Sequence, residues 1–135
     1  MNDCIFCKIV KGELPCTKVY EDDNVLAFLD ISPVHPGHAL VILKKHYETI
    51  TDIPDNKILP LMHVLQKVCK AVKIGVDSQG YNIIMNNYKA AGQLVPHAHF
   101  HIIPRFDGDG LKHWPQTKYQ EGQAEKVRKK IIDKI

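Results

Sequence analysis

No apolar stretch in these 135 residues approaches the ~20 that a membrane-spanning helix needs. The start, "MNDCIFCKIV", lacks the long apolar core of a secretory signal, so nothing argues for export and cytoplasm is the expected location. Neither G-x-x-x-x-G-K-[ST] nor G-x-G-x-x-G occurs, which removes the usual phosphate loops. "DGDG" at 107–110 is too short for a calcium loop and reads as a turn. Repeats, low-complexity tracts and linkers are missing too, so one domain over 1–135 with one core is expected. Excess charge is small, +3 with a pI near 8.6, which tolerates an anionic small ligand but falls short of a nucleic-acid-binding signature. Neither nucleic acid nor membrane is therefore expected as a partner.

What remains is ordinary globular composition, 44% hydrophobic and 24% charged. "CIFCKIV" (4–10) suits a short helix burying Ile5, Phe6 and Ile9, ended by Gly12 and Pro15. "KVYEDDNVLAFLDI" reads as two strands around an acidic turn at Glu21 to Asn24. "HALVILKK" (38–45) is a third strand, apolar almost throughout and so buried on both faces. Ile58, Leu61, Met62, Leu65, Val68, Cys69 and Val72 recur at helical spacing, with Gly75 as the stop. Pro60 is tolerable in a first turn, which predicts a helix start between Asn56 and Leu59. "YNIIMNN" is a fourth strand, "YKAAGQL" a loop, and "VPHAHFHIIPR" a fifth strand closed by Pro104. The tail, with Ala124, Val127 and Ile131 among five basic residues and two acidic ones, predicts a terminal helix with a solvated basic face. Strands joined by short turns, with one long helix inserted, predict an α+β architecture: an antiparallel sheet covered on one face by a helix.

"VPHAHFHII" (95–103) carries the chemistry. Alternate strand residues point the same way, roughly 6.5–7 Å apart. His97, His99 and His101 then share one face, while Ala98, Phe100 and Ile102 enter the core. Two functional readings stand: a three-histidine zinc site, or a central imidazole acting as a nucleophile with its second ring nitrogen held by an acceptor. Gly92 and Gln93 just upstream, where backbone N–H groups can approach an anion, favour the nucleophile. Cys4 and Cys7, at i and i+3, suit either zinc chelation or two free buried thiols. Cys16 and Cys69 read as core or incidental thiols. Taken alone, His38 is a buried, hydrogen-bonded histidine, Asp30 and Asn86 are turn residues, and Phe6, Ile9, Phe28, Ile31 and Leu40 are simply core.

"GQLVPHAHFHII", together with "CIFCKIVKGELP", "VYEDDNVLAFLDISPVHPGHALVILKKH" and "YNIIMNN" in that order, resembles the nucleotide-binding histidine-triad (HIT) proteins over residues 4 to about 106. The tail beyond Arg105 resembles them less. The resemblance implies a five-stranded antiparallel sheet with one long and one short N-terminal helix, in a homodimer whose two sheets join. It implies hydrolysis or transfer of nucleoside monophosphates from phosphoramidates, dinucleoside polyphosphates or related purine nucleotides, with His99 as nucleophile on the α-phosphorus. His101 and the backbone around Gln93 and Leu94 would donate to phosphoryl oxygens, and His97 and His38 would orient the imidazole or assist the leaving group. Asp30 would take the ribose hydroxyls, Asn86 would contact the phosphate or ribose, and Phe6, Ile9, Phe28, Ile31 and Leu40 would line the base pocket. Zinc-containing members imply a structural Zn²⁺ held by Cys4, Cys7, His46 and His97.

Two departures stand out: Leu94 where many relatives carry a hydroxyl beside the phosphate, and Leu43 where a proline is common. Trp114 reads as packing at a dimer edge. A dinucleoside polyphosphate hydrolase and a non-catalytic nucleotide- or partner-binding module are the competing functions.

Overall fold

The computed structural model describes residues 3–135, so residues 1 and 2 of the expected single domain lie outside the described residues. The chain runs α1 (Ile5–Val10), β1 (Lys18–Glu21), β2 (Val25–Leu29), β3 (Ala39–Leu43), α2 (Asp55–Gly75), β4 (Gly80–Ile84), β5 (His99–Arg105) and α3 (Gln123–Ile132), with 3₁₀ turns at Ile50–Asp52 and Lys89–Ala91. The strands form one five-stranded sheet in the order β1-β2-β3-β5-β4, every pair antiparallel. This is the predicted α+β plan.

Period-two alternation sorts the sheet into two layers. Val25, Ala27, Val41, Leu43, Phe100 and Ile102 face α2 and pack on Leu61, Val64, Leu65, Val68, Cys69 and Val72. Each such aliphatic side chain contributes about 1.5–3 kcal/mol on burial. The opposite layer is thinner: Leu26, Phe28, Leu40 and Ile42 meet Phe6 of α1. The alternating histidines belong to this second layer.

Several boundaries differ from expectation, each for a physical reason. Helix α2 starts at Asp55, so Pro60 falls in its second turn; the bond it cannot donate would go to Asn56, whose exposed position leaves that carbonyl to water. The helix ends through Asp77 rather than Gly75. Asp77 adopts φ +55°, and the Ser78 and Asp77 N–H groups return to the Lys73 and Ile74 carbonyls, a Schellman closure. Met62, expected inward, is 39% exposed, and Val64 takes the core position.

Strand β5 begins at His99, not Val95, because Pro96 has no N–H and the His97 N–H turns back to the Val95 carbonyl at 2.8 Å. It also runs through Pro104 to Arg105. The Arg105 carbonyl accepts from the Gln79 N–H on the β4 side, so Pro104 faces the other way, past the end of β3, where no ladder bond is lost. Among the described residues no helix is long and apolar enough to cross a membrane.

Between β2 and β3 the chain makes a tight turn ending in Gly37, at φ +98°. A Cβ there would lie 2.7 Å from Val76 Cγ1, the end of a short, stiff side chain. Gly37→Ala is expected to destabilise the fold by about 2–4 kcal/mol, combining left-handed strain with overpacking. In urea denaturation, adding Val76→Ala should recover the packing part alone. Unchanged stability in Gly37→Ala would refute the tight approach.

Candidate active site

Pairing of β3 with β5 sets His99 opposite Ile42 and His101 opposite Leu40. Both rings therefore rise from the α1 side of the sheet, and His97, just before the strand, joins them. His97 and His99 are 1% and 6% exposed. Phe6 packs edge-on against both, at 5.9 and 5.1 Å between ring centroids. Buried imidazoles need partners for their N–H groups, and those partners decide which nitrogen is free.

For His99 the decision is local. Its Nδ1–H donates to the His97 carbonyl at 2.7 Å, leaving the lone pair on Nε2. For His101 it comes through a relay. The Val34 N–H donates to His38 Nδ1 at 3.0 Å, so the His38 proton sits on Nε2. That N–H donates 2.9 Å to His101 Nδ1, and His101 must carry its own proton on Nε2. The result is a lone pair on His99 beside an N–H donor on His101, ring centroids 4.9 Å apart. Burial lowers the pKa of His99 and His38, and that of His101 to about 4 with help from His99 and His38. All three are neutral at neutral pH, as the relay requires. Asp30 Oδ2 lies 3.6 Å from His38 Nε2, and its Oδ1 accepts the Ser32 N–H at 2.8 Å.

The two rings form the floor of a cleft of about 490 Å³. Phe6, Ile9, Phe28, Asp30, Ile31, Leu40, Asn86, Gly92 and Leu94 line it with His99 and His101, so the structure brings together most of the residues singled out from the sequence. Gln93 is the exception. Its amide is turned inward, Oε1 accepting the Tyr88 N–H and Nε2 donating to the Glu48 carbonyl, each at 2.7 Å. Gln93 thereby holds the 88–93 loop, where Tyr88 sits at φ +68°. His38 stands behind His101 and does not line the cleft, nor does His97. Sequence reasoning missed Ile5, Pro15, Cys16, Leu29, Ser32 and Val95 as lining residues. Val95 adjoins the histidine motif and Ser32 adjoins Asp30; for Pro15 and Cys16 no sequence signal was available.

A second cluster lies across His97. Its Nε2–H donates to the Leu43 carbonyl at 2.8 Å, so Nδ1 presents a lone pair 3.5 Å from Cys4 Sγ and 3.7 Å from Cys7 Sγ. His46 Nδ1 is 3.3 Å from Cys7 Sγ, and the four ligand atoms lie within 4.8 Å of one another. Tetrahedral zinc with ordinary Zn–S and Zn–N bonds would separate its ligands by roughly 3.3–3.8 Å. The donor set and the carbonyl behind His97 therefore fit a closed Cys₂His₂ zinc site. Burial and the adjacent Cys4 raise the Cys7 thiol pKa, and a dication between the sulfurs would reverse that.

Asp30, His38 and His101 also cluster, but Val34 keeps the proton on His38 Nε2, which makes that trio a hydrogen-bond relay and not a metal site. A zinc held jointly by His97, His99 and His101 is likewise disfavoured. The His97 lone pair faces the cysteines, away from the cleft that His99 and His101 line.

This arrangement of alternating imidazoles on an antiparallel sheet defines a histidine-triad site. The HIT domain family model matches residues 11–108, and the chain belongs to that family. An uncharacterized HIT-like protein of Methanocaldococcus jannaschii is 53% identical over 108 residues, 79% of this chain and 82% of its own. An adenosine 5'-monophosphoramidase of Schizosaccharomyces pombe is 40% identical over 98% of both chains. Among solved structures, a HIT family member from Bacillus subtilis superposes with a TM-score of 0.91 at 40% identity, covering 98% of this chain and 97% of that one. A Zn-bound histidine triad family protein from Mycobacterium smegmatis gives 0.77 at 37% identity over 98% and 95%.

The neutral relay has a consequence for stability. His101 titrates near 6.5 when unconstrained and about 4 when folded, so between those values the unfolded chain binds more protons. Stability from the neutral ring is full above the unfolded value and declines as pH falls toward 4, by on the order of 3 kcal/mol. Denaturation across pH 7 to ~4.5 should show a shallower pH slope in His101→Gln than in wild type, by up to ~1.4 kcal/mol per unit. Equal slopes would contradict a neutral folded His101.

Proposed function

We propose that this protein is a nucleotide hydrolase acting at the α-phosphorus of purine nucleoside phosphoramidates through a nucleotidyl-His99 intermediate. The observation that carries the reading is the His99 ring at the floor of the cleft, its Nδ1–H on the His97 carbonyl and its Nε2 lone pair free beside the His101 donor. The bond from Nε2 to phosphorus forms as the P–N bond to the leaving amine breaks, and that amine takes its proton from water at the cleft mouth. In the second displacement water attacks phosphorus, releases its proton to solvent and returns the lone pair to His99.

His101 donates from Nε2 to the phosphoryl oxygens as charge accumulates, and His38 keeps it in the donating tautomer. Leu94, 92% exposed, supplies only its backbone N–H, which donates to no backbone carbonyl among the described residues. With no hydroxyl at that position, one donor to the phosphate is lost relative to many family members. Gly92 and Asn86 would flank the phosphate, and Asp30 would accept the ribose hydroxyls. The base would lie among Phe6, Ile9, Phe28, Ile31 and Leu40. Similarity to the Schizosaccharomyces pombe phosphoramidase supports a phosphoramidate over a dinucleoside polyphosphate.

Zinc on Cys4, Cys7, His46 and His97 would be structural: it supplies a cross-link between α1 and the histidine segment and takes no part in the displacement. We also propose a homodimer joined at β4, an edge strand with Tyr81 and Ile83 exposed at 39% and 46%. Trp114, 69% exposed, would pack near that junction.

AMP release from adenosine 5′-phosphoramidate should fall by at least about 10³-fold in His99→Ala. Chelation should lower the melting temperature before it lowers turnover, and Cys4→Ser should lose bound zinc. Turnover surviving in His99→Ala, or lost at once on chelation while the fold persists, would overturn this reading.

A further inference from the structure

Beyond the cleft, the loop after β5 holds a charged cluster that none of the steps above uses. Asp109, its side chain 5% exposed, accepts from Arg105 Nε at 2.7 Å and from Arg105 Nη2 at 2.8 Å, a two-pronged pair. It also takes the Phe106 and Leu111 N–H groups at 3.2 and 3.0 Å. The loop is bent to allow this by Gly108 and Gly110, both at φ near +76° to +77°. What reads in the sequence as a turn is thus a rigid carboxylate mount, and Asp109 lies one residue past the span that the family model matches.

The mount has one further partner, from a distant part of the chain. His35 Nε2–H donates to Asp109 Oδ2 at 3.3 Å, and its ring stands edge-on to Phe106 at 5.2 Å. His35 belongs to the turn that presents His38. In that turn the His38 N–H donates to the His35 carbonyl at 3.0 Å, and the Val34 N–H selects the His38 tautomer. Asp109 therefore pins the outside of the turn whose inside steers the relay. Arg105, which carries Asp109, lies on the same strand as His101. His38 and His101 are in this way referenced to one element from both sides.

We infer that the Arg105–Asp109–His35 clamp positions the His38–His101 relay, with His35 and Asp109 as positioning residues for the reaction. The inference rests on the hydrolase reading for its kinetic consequence, but not for its structural one. Releasing the clamp lets the 33–38 turn shift relative to β5. The 2.9 Å bond from His38 to His101 then lengthens, and His101 samples the tautomer with no proton toward the cleft. Asp30 borders this turn, but its N–H donates to the His38 carbonyl at 2.9 Å at the end of the β2–β3 pair. Phe28 and Leu40 lie within those strands, so the base and ribose contacts are held by the sheet and little disturbed.

The test compares wild type with His35→Phe, which keeps the ring against Phe106 and removes the donor. His35→Gln restores a donor, and Asp109→Asn weakens the mount itself. Two readouts are taken: kcat and KM for adenosine 5′-phosphoramidate, and long-range ¹H–¹⁵N spectra of the imidazoles in the unliganded protein. The expected result is kcat down about tenfold in His35→Phe with KM within about twofold, since a small misplacement of a catalytic group acts on the transition state. The His38 and His101 signals should move to mixed tautomers in the same variant, and His35→Gln should recover most of both. A folded His35→Phe with wild-type kcat and unmixed tautomers overturns the inference, as does a loss confined to melting temperature. If wild type itself releases no AMP, the hydrolase reading fails while the spectra still decide whether the clamp sets the tautomers.

Discussion

Pairing of β5 with β3 places Ile42 opposite His99 and Leu40 opposite His101, and the chemistry of this chain hangs from that register. A slip of one residue would send the imidazoles into the α2 core and Phe100 and Ile102 into the cleft. Because the register is held by apolar side chains on the α2 side, the imidazoles are forced into a layer shared with Phe6, Phe28 and Leu40. Buried imidazole N–H groups left unpaired there would each cost about 1–3 kcal/mol. The carbonyls of Leu43 and His97 and the ring of His101 satisfy them, and together with the Val34 N–H on His38 Nδ1 they assign the protons. The free lone pair on His99 Nε2 is a by-product of burying this ring without an orphaned donor.

His97 joins two sites through opposite ends of one residue. Its ring faces Cys4, Cys7 and His46, while its carbonyl holds the His99 proton. The cysteine cluster and the His99 ring are thus neighbours in space, and anything that fixes the His97 ring also fixes the acceptor that orients His99. His38 plays the matching part on the other side, with its own backbone environment choosing the tautomer it passes on.

The element types and most of the site were readable because they rest on local periodicity and on motif residues close in the chain. Alternation in "HAHFHI" announces a strand with a polar face, and the spacing of Leu61, Leu65, Val68 and Val72 announces a helix. Residues whose behaviour depends on what lies opposite them carry no such local signal. Pro104 is harmless within β5 only because β3 has already ended, and Pro60 only because Asn56 is exposed. The resemblance implies a phosphate contact from the backbone around Gln93, yet the Gln93 N–H donates to the Tyr88 carbonyl at 3.2 Å and its side-chain amide is engaged by Tyr88 and Glu48, the latter 45 residues away. Cys16 lines the cleft although nothing in its neighbourhood announces it, because the chain after α1 folds back over Phe28.

The amino-acid sequence by itself determined the alternation of histidines with core residues, the spacing of Cys4 and Cys7, and the family resemblance that these residues carry. These are one-dimensional properties: side-chain chemistry at fixed spacing. Only the tertiary structure decided which nitrogen of each ring bears the proton, which way Gln93 turns, and that Asp109 reaches His35 across 74 residues. Those outcomes depend on which backbone carbonyl or N–H arrives opposite a side chain, and that is set by the packing of the whole sheet, not by neighbours along the chain.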